Sequence, residues 1–271
     1  MTSSSETLKL IFITDSPASA RIAIHAGVDR IMIDLEHEGK QARQGHLDTL
    51  ISNHDPVAIK HVRKELDLIG KGELLVRVNP LNSKSKEEVD NVIALGAQRI
   101  MLPMFKNSNE VITFLGMVDR RVPVTLLLET KSAYENLDSI LKINKEFDIH
   151  IGLNDLHIDM ELSFMFQLLT NGVVDNIAEQ CRKSGCAFGI GGVAPLSVSA
   201  KLSPDDIIAY HLYVGSNAVI LSRDWQKFAL KQEKFISEVS LLRDRIVKLP
   251  NLNRKLLEDS ISDITSKLTL N

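Results

Sequence analysis

Eight short apolar runs recur along the chain, and stretches with helical periodicity separate them. The runs are "LKLIFI" near 9–13, "RIMIDL" (30–35), "ELLVRV" (73–78), "RIMLPM" (99–104), "VTLLLE" (124–129), "DIHIGL" (148–153), "AFGIGG" (187–192) and "AVILSR" (218–223). Each run is mostly apolar without strict alternation, which is typical of parallel strands covered on both faces. Helical patterns lie at Ala18–Ala26, Lys86–Leu95, Asn109–Val118, Ser132–Ile143, Asp175–Lys183 and Pro204–Tyr210.

Eight strands that alternate with helices predict an α/β fold, specifically a (β/α)₈ TIM barrel over residues 1–225. A chain of 271 residues has room for such a barrel as one domain. A doubly wound open sheet is the alternative. The first run is followed by "FITDSPASA", which lacks the glycines of a dinucleotide-binding turn, and "FGIGG" lacks the Lys-Ser/Thr of a phosphate-binding loop.

The last part of the chain, residues 226–271, contains no further strand pattern. Asp224–Lys248 predicts one long amphipathic helix, "LPNLN" ends it, and Arg254–Leu268 predicts a second helix. A barrel needs only one closing helix here. The second helix therefore forms a C-terminal extension that either caps its own barrel or packs on a neighbouring subunit.

The composition excludes several classes of partner. A formal net charge of −3 with 25% charged residues implies no basic face for nucleic acid. No apolar run approaches the ~20 residues that span a bilayer, and the N-terminus lacks the pattern of a signal peptide. We therefore expect a cytoplasmic protein without a membrane partner, in which Cys181 and Cys186 are reduced thiols.

Polar side chains follow several of the predicted strands at their carboxyl ends, which is where barrel enzymes place their chemistry. These residues are Asp34, Glu36, His37, Arg77, Asn79, Glu129, Asn154, Asp155, Ser222 and Arg223. Because they interrupt or directly prolong apolar strands, we expect some of them to point into the mouth of the barrel. Ser222 and Arg223 receive no role from the sequence.

Glu129 and Asp155 end two adjacent strands, so their carboxylates are expected to converge. Two buried carboxylates repel each other unless one is protonated or a cation lies between them. A hard divalent cation such as Mg²⁺ or Mn²⁺ suits two carboxylates with water or substrate in the remaining positions. The alternative is that each carboxylate caps the helix that follows it.

Arg77 ends a strand whose preceding residues are all apolar, so its guanidinium needs an anionic partner. That partner is either a carboxylate of the protein, Asp34 or Glu129, or the carboxylate of a substrate. Both interpretations stay open from the sequence.

The motifs "IDLEH", "LLVRVNP", "GAQRIMLPM", "LLLETKSAYENLDSIL" and "IGLNDL" resemble the HpcH/HpaI aldolase and citrate lyase β-subunit superfamily. The resemblance covers about residues 8–225, in the order of the family. It implies a phosphoenolpyruvate/pyruvate-type barrel, and family members usually form trimers or hexamers. On this basis we expect a homo-oligomer.

The resemblance also assigns roles by motif. It implies that Glu129 and Asp155 bind a divalent metal, Mg²⁺ or Mn²⁺ with Co²⁺ or Zn²⁺ as other choices. It implies that Arg77 holds the carboxylate and keto oxygen of pyruvate, and that His37, oriented by Asp34, handles protons.

Further residues complete this predicted site. Backbone N–H groups around Asn154 and Asp155 are expected to help hold the pyruvate carboxylate. Glu36 is interpreted as orienting a metal-bound water, and His157 is either a second proton carrier or a plain surface residue. Lys40 and Arg43 either meet an anionic acceptor or lie on a solvated helix start.

The predicted function is therefore a metal-dependent class II lyase. It makes or breaks a carbon–carbon bond of a 4-hydroxy-2-oxo acid, with a 2-oxo acid and an aldehyde as the small-molecule substrates. The segment "DLE…K…AR" is closer to the CoA-ester lyases, so a CoA-thioester lyase or related condensing enzyme is the alternative. A third hypothesis is a catalytically silent barrel subunit, against which the intact motif residues argue.

Overall fold

The computed structural model describes residues 8–37, 54–143, 147–248 and 253–269. Eight parallel strands close into a barrel in which each strand pairs with its neighbours in the chain and the first pairs with the last. The strands are β1 (Lys9–Ile13), β2 (Arg30–Asp34), β3 (Glu73–Arg77), β4 (Arg99–Leu102), β5 (Val124–Leu128), β6 (Phe147–Ile151), β7 (Phe188–Val193) and β8 (Ala218–Leu221). Because Lys9 of β1 pairs with Ala218 of β8, the sheet is closed, and the predicted (β/α)₈ barrel is confirmed over the open sheet.

Helices surround the barrel and connect its strands. They are α1 (Pro17–Ala26), α2 (Val57–Ile69), α3 (Ser85–Ala94), α4 (Ser108–Val118), α5 (Lys131–Glu135), α6 (Leu137–Leu141), α7 (Leu153–Asp159), α8 (Val173–Ser184), α9 (Pro204–Val214), α10 (Gln232–Lys248) and α11 (Arg254–Thr269). Short 3₁₀ segments lie at Met165–Leu169 and Arg223–Phe228. Among the described residues, none of these helices is both long and apolar enough to cross a membrane.

Side chains that point into the barrel form layers, because alternate residues of each strand face its axis. The middle of the barrel is filled mainly by Ile11, Met32, Leu75, Met101, Leu127 and Ala218. At the amino-terminal end Glu73 joins Arg30 and Arg99, and Arg99 also pairs with Asp148 at 2.9 Å. These pairs close the bottom of the barrel, so that the cavities described below open at the carboxyl ends of the strands.

Several predicted helices differ in their extent. The single helix predicted at Ser132–Ile143 is two helices, α5 and α6, which meet at Asn136. The helix predicted from Asp224 begins only at Gln232, because the chain first forms the 3₁₀ segment that buries Trp225. Helix α2 was absent from the prediction.

The helices after β8 pack on the barrel's own chain. Phe235 of α10 lies edge-on to Phe12 of β1, with ring centroids 5.0 Å apart, and to Trp225 at 5.5 Å. On α11, Leu257 and Ile261 are buried. These contacts show that the inner faces of both helices cover their own barrel.

Candidate functional site

The carboxyl ends of the strands enclose a cavity of about 350 Å³. Its polar lining consists of Arg77, Glu129, His150, Asn154, Asp155, Ser222, Arg223 and Asp224. Apolar side chains, among them Met32 and Leu127, form the rest of the wall. The structure therefore brings Arg77, Glu129 and Asp155 to one space, as the sequence predicted.

Glu129 follows β5 directly and is 2% exposed. Its Oε1 accepts a hydrogen bond from the backbone N–H of Met104 at 3.1 Å, so the segment that follows β4 fixes one oxygen of the carboxylate. Gly152 leaves room for the rest of the side chain, because a Cβ there would lie 2.9 Å from the Cβ and 3.0 Å from Oε2 of Glu129. Glu129 is thus held by the cavity wall and does not cap a helix.

Asp155 lies in the first turn of α7, close to the positive end of that helix, and is buried. Burial and the negative charges of Glu36 and Asp155 raise the pKa of Glu129 well above its usual range. The nearby charge of Arg77 lowers the pKa of Glu129 only in part, so ionising both carboxylates is costly. This is the electrostatic condition that a divalent cation relieves.

The donor set fits a hard cation that keeps open positions. Two carboxylates face a cavity with room for water and a bidentate substrate. Within the described residues, no group of three or more His, Cys, Asp or Glu side chains forms a complete protein cage for a metal. Glu129 and Asp155 are therefore the residues that would hold such an ion, with its other ligands coming from outside the chain.

The guanidinium of Arg77 is paired with Asp34 in a bidentate arrangement. Nε donates to Oδ1 at 2.8 Å and Nη2 donates to Oδ2 at 2.7 Å, while Nη1 lies 3.4 Å from Oε2 of Glu36. Burial lowers the pKa of Arg77, but the charges of Asp34 and Glu36 outweigh it and raise the pKa above its usual value. One edge of the guanidinium is therefore committed to the protein, which is the first of the two interpretations left open by the sequence.

Asp34 and His37 are not brought together. Asp34 is 1% exposed and faces Arg77, whereas His37 is exposed and its backbone N–H donates to Oδ1 of Asn79 at 2.9 Å. Among the described residues no hydrogen bond joins the two side chains. In the structure Asp34 therefore holds Arg77 and does not orient His37. Lys40 and Arg43 lie outside the described residues.

His54 was missed by the sequence analysis and lies beside Asp34, at the carboxyl end of β2. Its Nδ1 accepts the backbone N–H of Asp34 at 3.0 Å, and its Nε2 lies 3.9 Å from Oδ1 of Asp15. The sequence carried no signal for this histidine, because His54 lies in a connection without periodic pattern.

Asn154 lines the cavity, but His157 is turned along its own helix. Nδ1 of His157 lies 3.2 Å from the carbonyl of Leu153, and burial lowers the pKa of the ring. Asp159 accepts the backbone N–H of Lys131 at 2.7 Å. These contacts give both side chains local structural partners.

His150 is a second cavity residue that the sequence analysis missed. Its ring lies over Gly189 of β7, where a Cβ would approach Nδ1 to 2.5 Å, and its buried Nε2 has no hydrogen-bond partner in the described part of the chain. Burial lowers the pKa of His150 to about 3, so the imidazole is neutral. The alternation of side chains along a strand predicts that His150 points into the barrel, because it lies on the same face of β6 as Asp148.

Comparison with known proteins gives one family match. The model for "HpcH/HpaI aldolase/citrate lyase" matches residues 10–190. Comparison with curated proteins finds no match.

Solved structures with the same fold are distant in sequence. An HpcH/HpaI aldolase from Desulfitobacterium hafniense DCB-2 is 17% identical, with a TM-score of 0.62 and coverage of 93% of this chain and 96% of that chain. A family protein from Burkholderia cenocepacia J2315 is 16% identical, with a TM-score of 0.63 and coverage of 88% and 96%. The citrate synthase SbnG is 17% identical, with a TM-score of 0.63 and coverage of 89% and 96%. These likenesses establish the fold.

Proposed function

Because the chain belongs to the HpcH/HpaI aldolase/citrate lyase family, we propose that it is a metal-dependent carbon–carbon lyase. Its reaction would be the reversible aldol cleavage of a 4-hydroxy-2-oxo acid through a pyruvate enolate. The observation that carries this proposal is the pair of buried carboxylates, Glu129 and Asp155, which share one cavity with Arg77.

Glu129 and Asp155 would bind the cation, Mg²⁺ or Mn²⁺, and leave its remaining positions to the 2-oxo acid. When bound, the ion supplies Lewis-acid stabilisation of the oxygen that becomes negative as the enolate forms. Arg77 places a fixed positive charge beside the same cavity, and Asp34 and Glu36 hold that charge in position. The apolar wall around Leu127 and Met32 lowers the local dielectric and strengthens these interactions.

Proton transfer at the hydroxyl group of the substrate is assigned to His37, the exposed residue that follows the buried Glu36. The exposed position of this imidazole gives it access to solvent, with which a proton-transfer group must exchange protons. In this scheme Asp34 contributes by holding the guanidinium of Arg77 in position. Asn154, at the start of α7, would contact the carboxylate of the 2-oxo acid.

A condensing reaction is the second candidate. A citrate synthase shares the fold, and the "DLE…K…AR" segment is closer to the CoA-ester branch of the family. Release of free thiol from an acyl-CoA in the presence of a 2-oxo acid would identify this reaction.

The test is exchange of the pyruvate methyl protons with deuterium, followed by proton NMR. We expect exchange that stops in EDTA and returns when Mn²⁺ is added. Glu129→Gln is expected to lower the exchange rate by about 100-fold or more, because the cation loses a charged ligand.

Glu135→Gln is the matched control, because Glu135 is an exposed glutamate on α5. It should exchange at the wild-type rate. Exchange that is absent from the wild-type protein, or that is equally fast in Glu129→Gln, would contradict the enolate mechanism.

A further inference from the structure

His150 is a polar side chain on the floor of the cavity that contains Glu129 and Asp155. It lies on β6 and pairs with Leu127 of β5, which belongs to the apolar layer in the middle of the barrel. Glu129 follows Leu127 by two residues, so it lies one layer nearer to the mouth. The ring of His150 is buried and lines the cavity. A molecule held at Glu129 and Asp155 therefore has His150 beneath it.

Three glycines determine how the ring of His150 is placed. Gly189 of β7 pairs with His150, and a Cβ there would approach Nδ1 to 2.5 Å, so the glycine lets the ring lie against this strand. The next inward positions on the two strands are Gly152 and Gly191, and both line the cavity. A Cβ at Gly191 would lie 3.9 Å from Nε2. The ring is thus turned with Nδ1 at the level of Gly189 and Nε2 toward the mouth, where neither glycine has a side chain to cover it.

The surroundings of His150 keep its ring neutral and fix its tautomer. Burial and the nearby positive charges of Arg30 and Arg77 lower the pKa of His150 to about 3. A hydrogen bond to the backbone of Ile190 acts in the opposite direction, so the ring donates this bond. Because Nε2 has no hydrogen-bond partner among the described residues, Nδ1 is the donor. Nε2 then carries a lone pair and can only accept a hydrogen bond.

An accepting nitrogen close to positive charges selects one kind of ligand group. A carboxylate, a phosphate or a keto oxygen brings no hydrogen and so does not pair with Nε2. An ammonium group is disfavoured by the same charges of Arg30 and Arg77 that oppose protonation of the ring. A hydroxyl group is neutral and donates one hydrogen bond, which would give the buried Nε2 the partner that it lacks in the described part of the chain.

We propose that His150 binds a hydroxyl group on C3 of the donor, so that the preferred donor is a 3-hydroxy-2-oxo acid and pyruvate is its deoxy analogue. This inference rests on the proposed function, in which the carboxylate and keto oxygen of the donor bind the cation and Arg77. C3 is then the position left for a hydroxyl on a three-carbon donor. The acceptor enters from the mouth, whereas His150 lies on the floor, so the hydroxyl is assigned to the donor. C3 of hydroxypyruvate carries two hydrogens, and loss of one forms the enolate as it does from pyruvate.

The test compares hydroxypyruvate with pyruvate in the donor half of the reaction. Exchange of the C3 protons with deuterium is followed by proton NMR with Mn²⁺ present, and the exchange in enzyme-free samples is subtracted. For the wild-type protein we expect the KM for hydroxypyruvate to be about 3- to 10-fold lower than that for pyruvate, the effect of one additional hydrogen bond.

Substitutions of His150 separate the hydrogen bond from the space that the ring fills. His150→Phe keeps an aromatic ring without the nitrogen. It should raise the KM for hydroxypyruvate by about 3- to 10-fold and leave the KM for pyruvate within about twofold of the wild-type value. His150→Gln keeps an accepting oxygen at a similar distance from the backbone and should retain part of the preference for hydroxypyruvate.

His211→Asn is the matched control. His211 is also a buried histidine whose pKa is lowered to about 3, but it lies on α9 and does not line the cavity. The substitution should leave the KM values for both donors unchanged, and circular dichroism should show the same fold for all variants.

Two results would overturn the inference. Equal KM values for the two donors in the wild-type protein would show that water, and not a substrate hydroxyl, occupies the place beside Nε2. A rise in the pyruvate KM of His150→Phe as large as the rise for hydroxypyruvate would show that the ring only supports the cavity wall.

Binding without turnover distinguishes failure of this inference from failure of the proposed function. Glycerate and lactate differ only in the hydroxyl on C3, and neither readily forms an enolate. Each is titrated calorimetrically, with Mn²⁺ present, into the wild-type and His150→Phe proteins. Binding of glycerate that is about 3- to 10-fold tighter than that of lactate, with the difference lost in His150→Phe, supports the hydroxyl site even when exchange is absent. Equal affinity of the wild-type protein for the two acids, or binding of neither, would contradict it.

Discussion

Gly152 determines how much room Glu129 has. The glycine lies between β6 and α7 with φ of −88°, a conformation that alanine also adopts. The reason for glycine at this position is therefore space, because a Cβ would lie within 3.0 Å of two Glu129 atoms. A single methyl group here would move a carboxylate that we assign to the metal.

We accordingly expect Gly152→Ala to weaken Mn²⁺ binding by about 10- to 100-fold, the range found when the support of a metal ligand is removed. Titration of Mn²⁺ followed by electron paramagnetic resonance measures this directly. Gly116→Ala in α4 is the control, because a Cβ at Gly116 has nothing within 4 Å. That substitution should preserve Mn²⁺ affinity and stabilise the fold by about 0.5–1 kcal/mol. Unchanged affinity in Gly152→Ala would separate Glu129 from metal binding.

Arg77 shows which part of the site can be read from sequence. The residue types at the ends of the strands were predictable, because parallel strands of a barrel all end on one face. Asp34 was one of the partners that the sequence allowed for Arg77, but the choice among them depends on register and could not be made from the sequence. In the β2–β3 pairing Asp34 lies directly beside Arg77, and this brings their side chains together.

At the level of elements, the strands were predicted to within one or two residues and the helices less accurately. The strands are apolar on both faces, so their composition marks them clearly. Helix α2 carries no such mark, because its N-cap is Pro56 without a side-chain hydrogen bond and its first residues include the β-branched Val57 and Ile59. The hydrogen bond from Nδ2 of Asn136 to the carbonyl of Ser132 lies at the break between α5 and α6, where periodicity alone predicted one helix.

Arg254 makes polar and ring contacts between helix α11 and the helices around the barrel. Arg254 donates to both oxygens of Asp175, at 3.0 and 2.6 Å, and its guanidinium lies 5.9 and 5.7 Å from the rings of Tyr210 and Tyr213. The Tyr210 hydroxyl donates to the same carboxylate at 3.1 Å. The helix is thereby tied to α8 and α9.

We expect Arg254→Ala to loosen α11 without unfolding the barrel. Loss of a bidentate pair and its ring contacts should speed amide hydrogen exchange in α11 by about 10-fold or more, while the strands keep their protection. Hydrogen exchange with mass spectrometry provides the measurement. Arg245→Ala is the control, because Arg245 approaches Asp205 only to 3.6 Å at the surface. Equal exchange of α11 in both variants would show that the apolar contacts of Leu257 and Ile261 suffice.

On the scale of the whole molecule, three buried titratable groups couple stability to pH. Burial lowers the pKa of His150 and of His211 to about 3, and His211 is further held by Ser216 at 3.0 Å. Both rings are neutral in the folded protein and take up protons on unfolding below about pH 6.5. Glu129 has the opposite effect, since burial raises its pKa and it releases a proton on unfolding above about pH 4.5.

Between about pH 4.5 and 6, each histidine therefore makes the free energy of unfolding fall as the pH falls, by about 1.4 kcal/mol per pH unit at most. Glu129 opposes this by a similar slope in metal-free protein.

We expect His211→Asn to reduce the slope by about 1.4 kcal/mol per pH unit and Glu129→Gln to increase it by about as much. Urea unfolding in EDTA across this range measures both slopes. Saturating Mn²⁺ should steepen the wild-type slope to that of Glu129→Gln, because a metal-bound Glu129 is already ionised in the folded state. Slopes that do not respond to either substitution would place the pH dependence in the surface ion pairs instead.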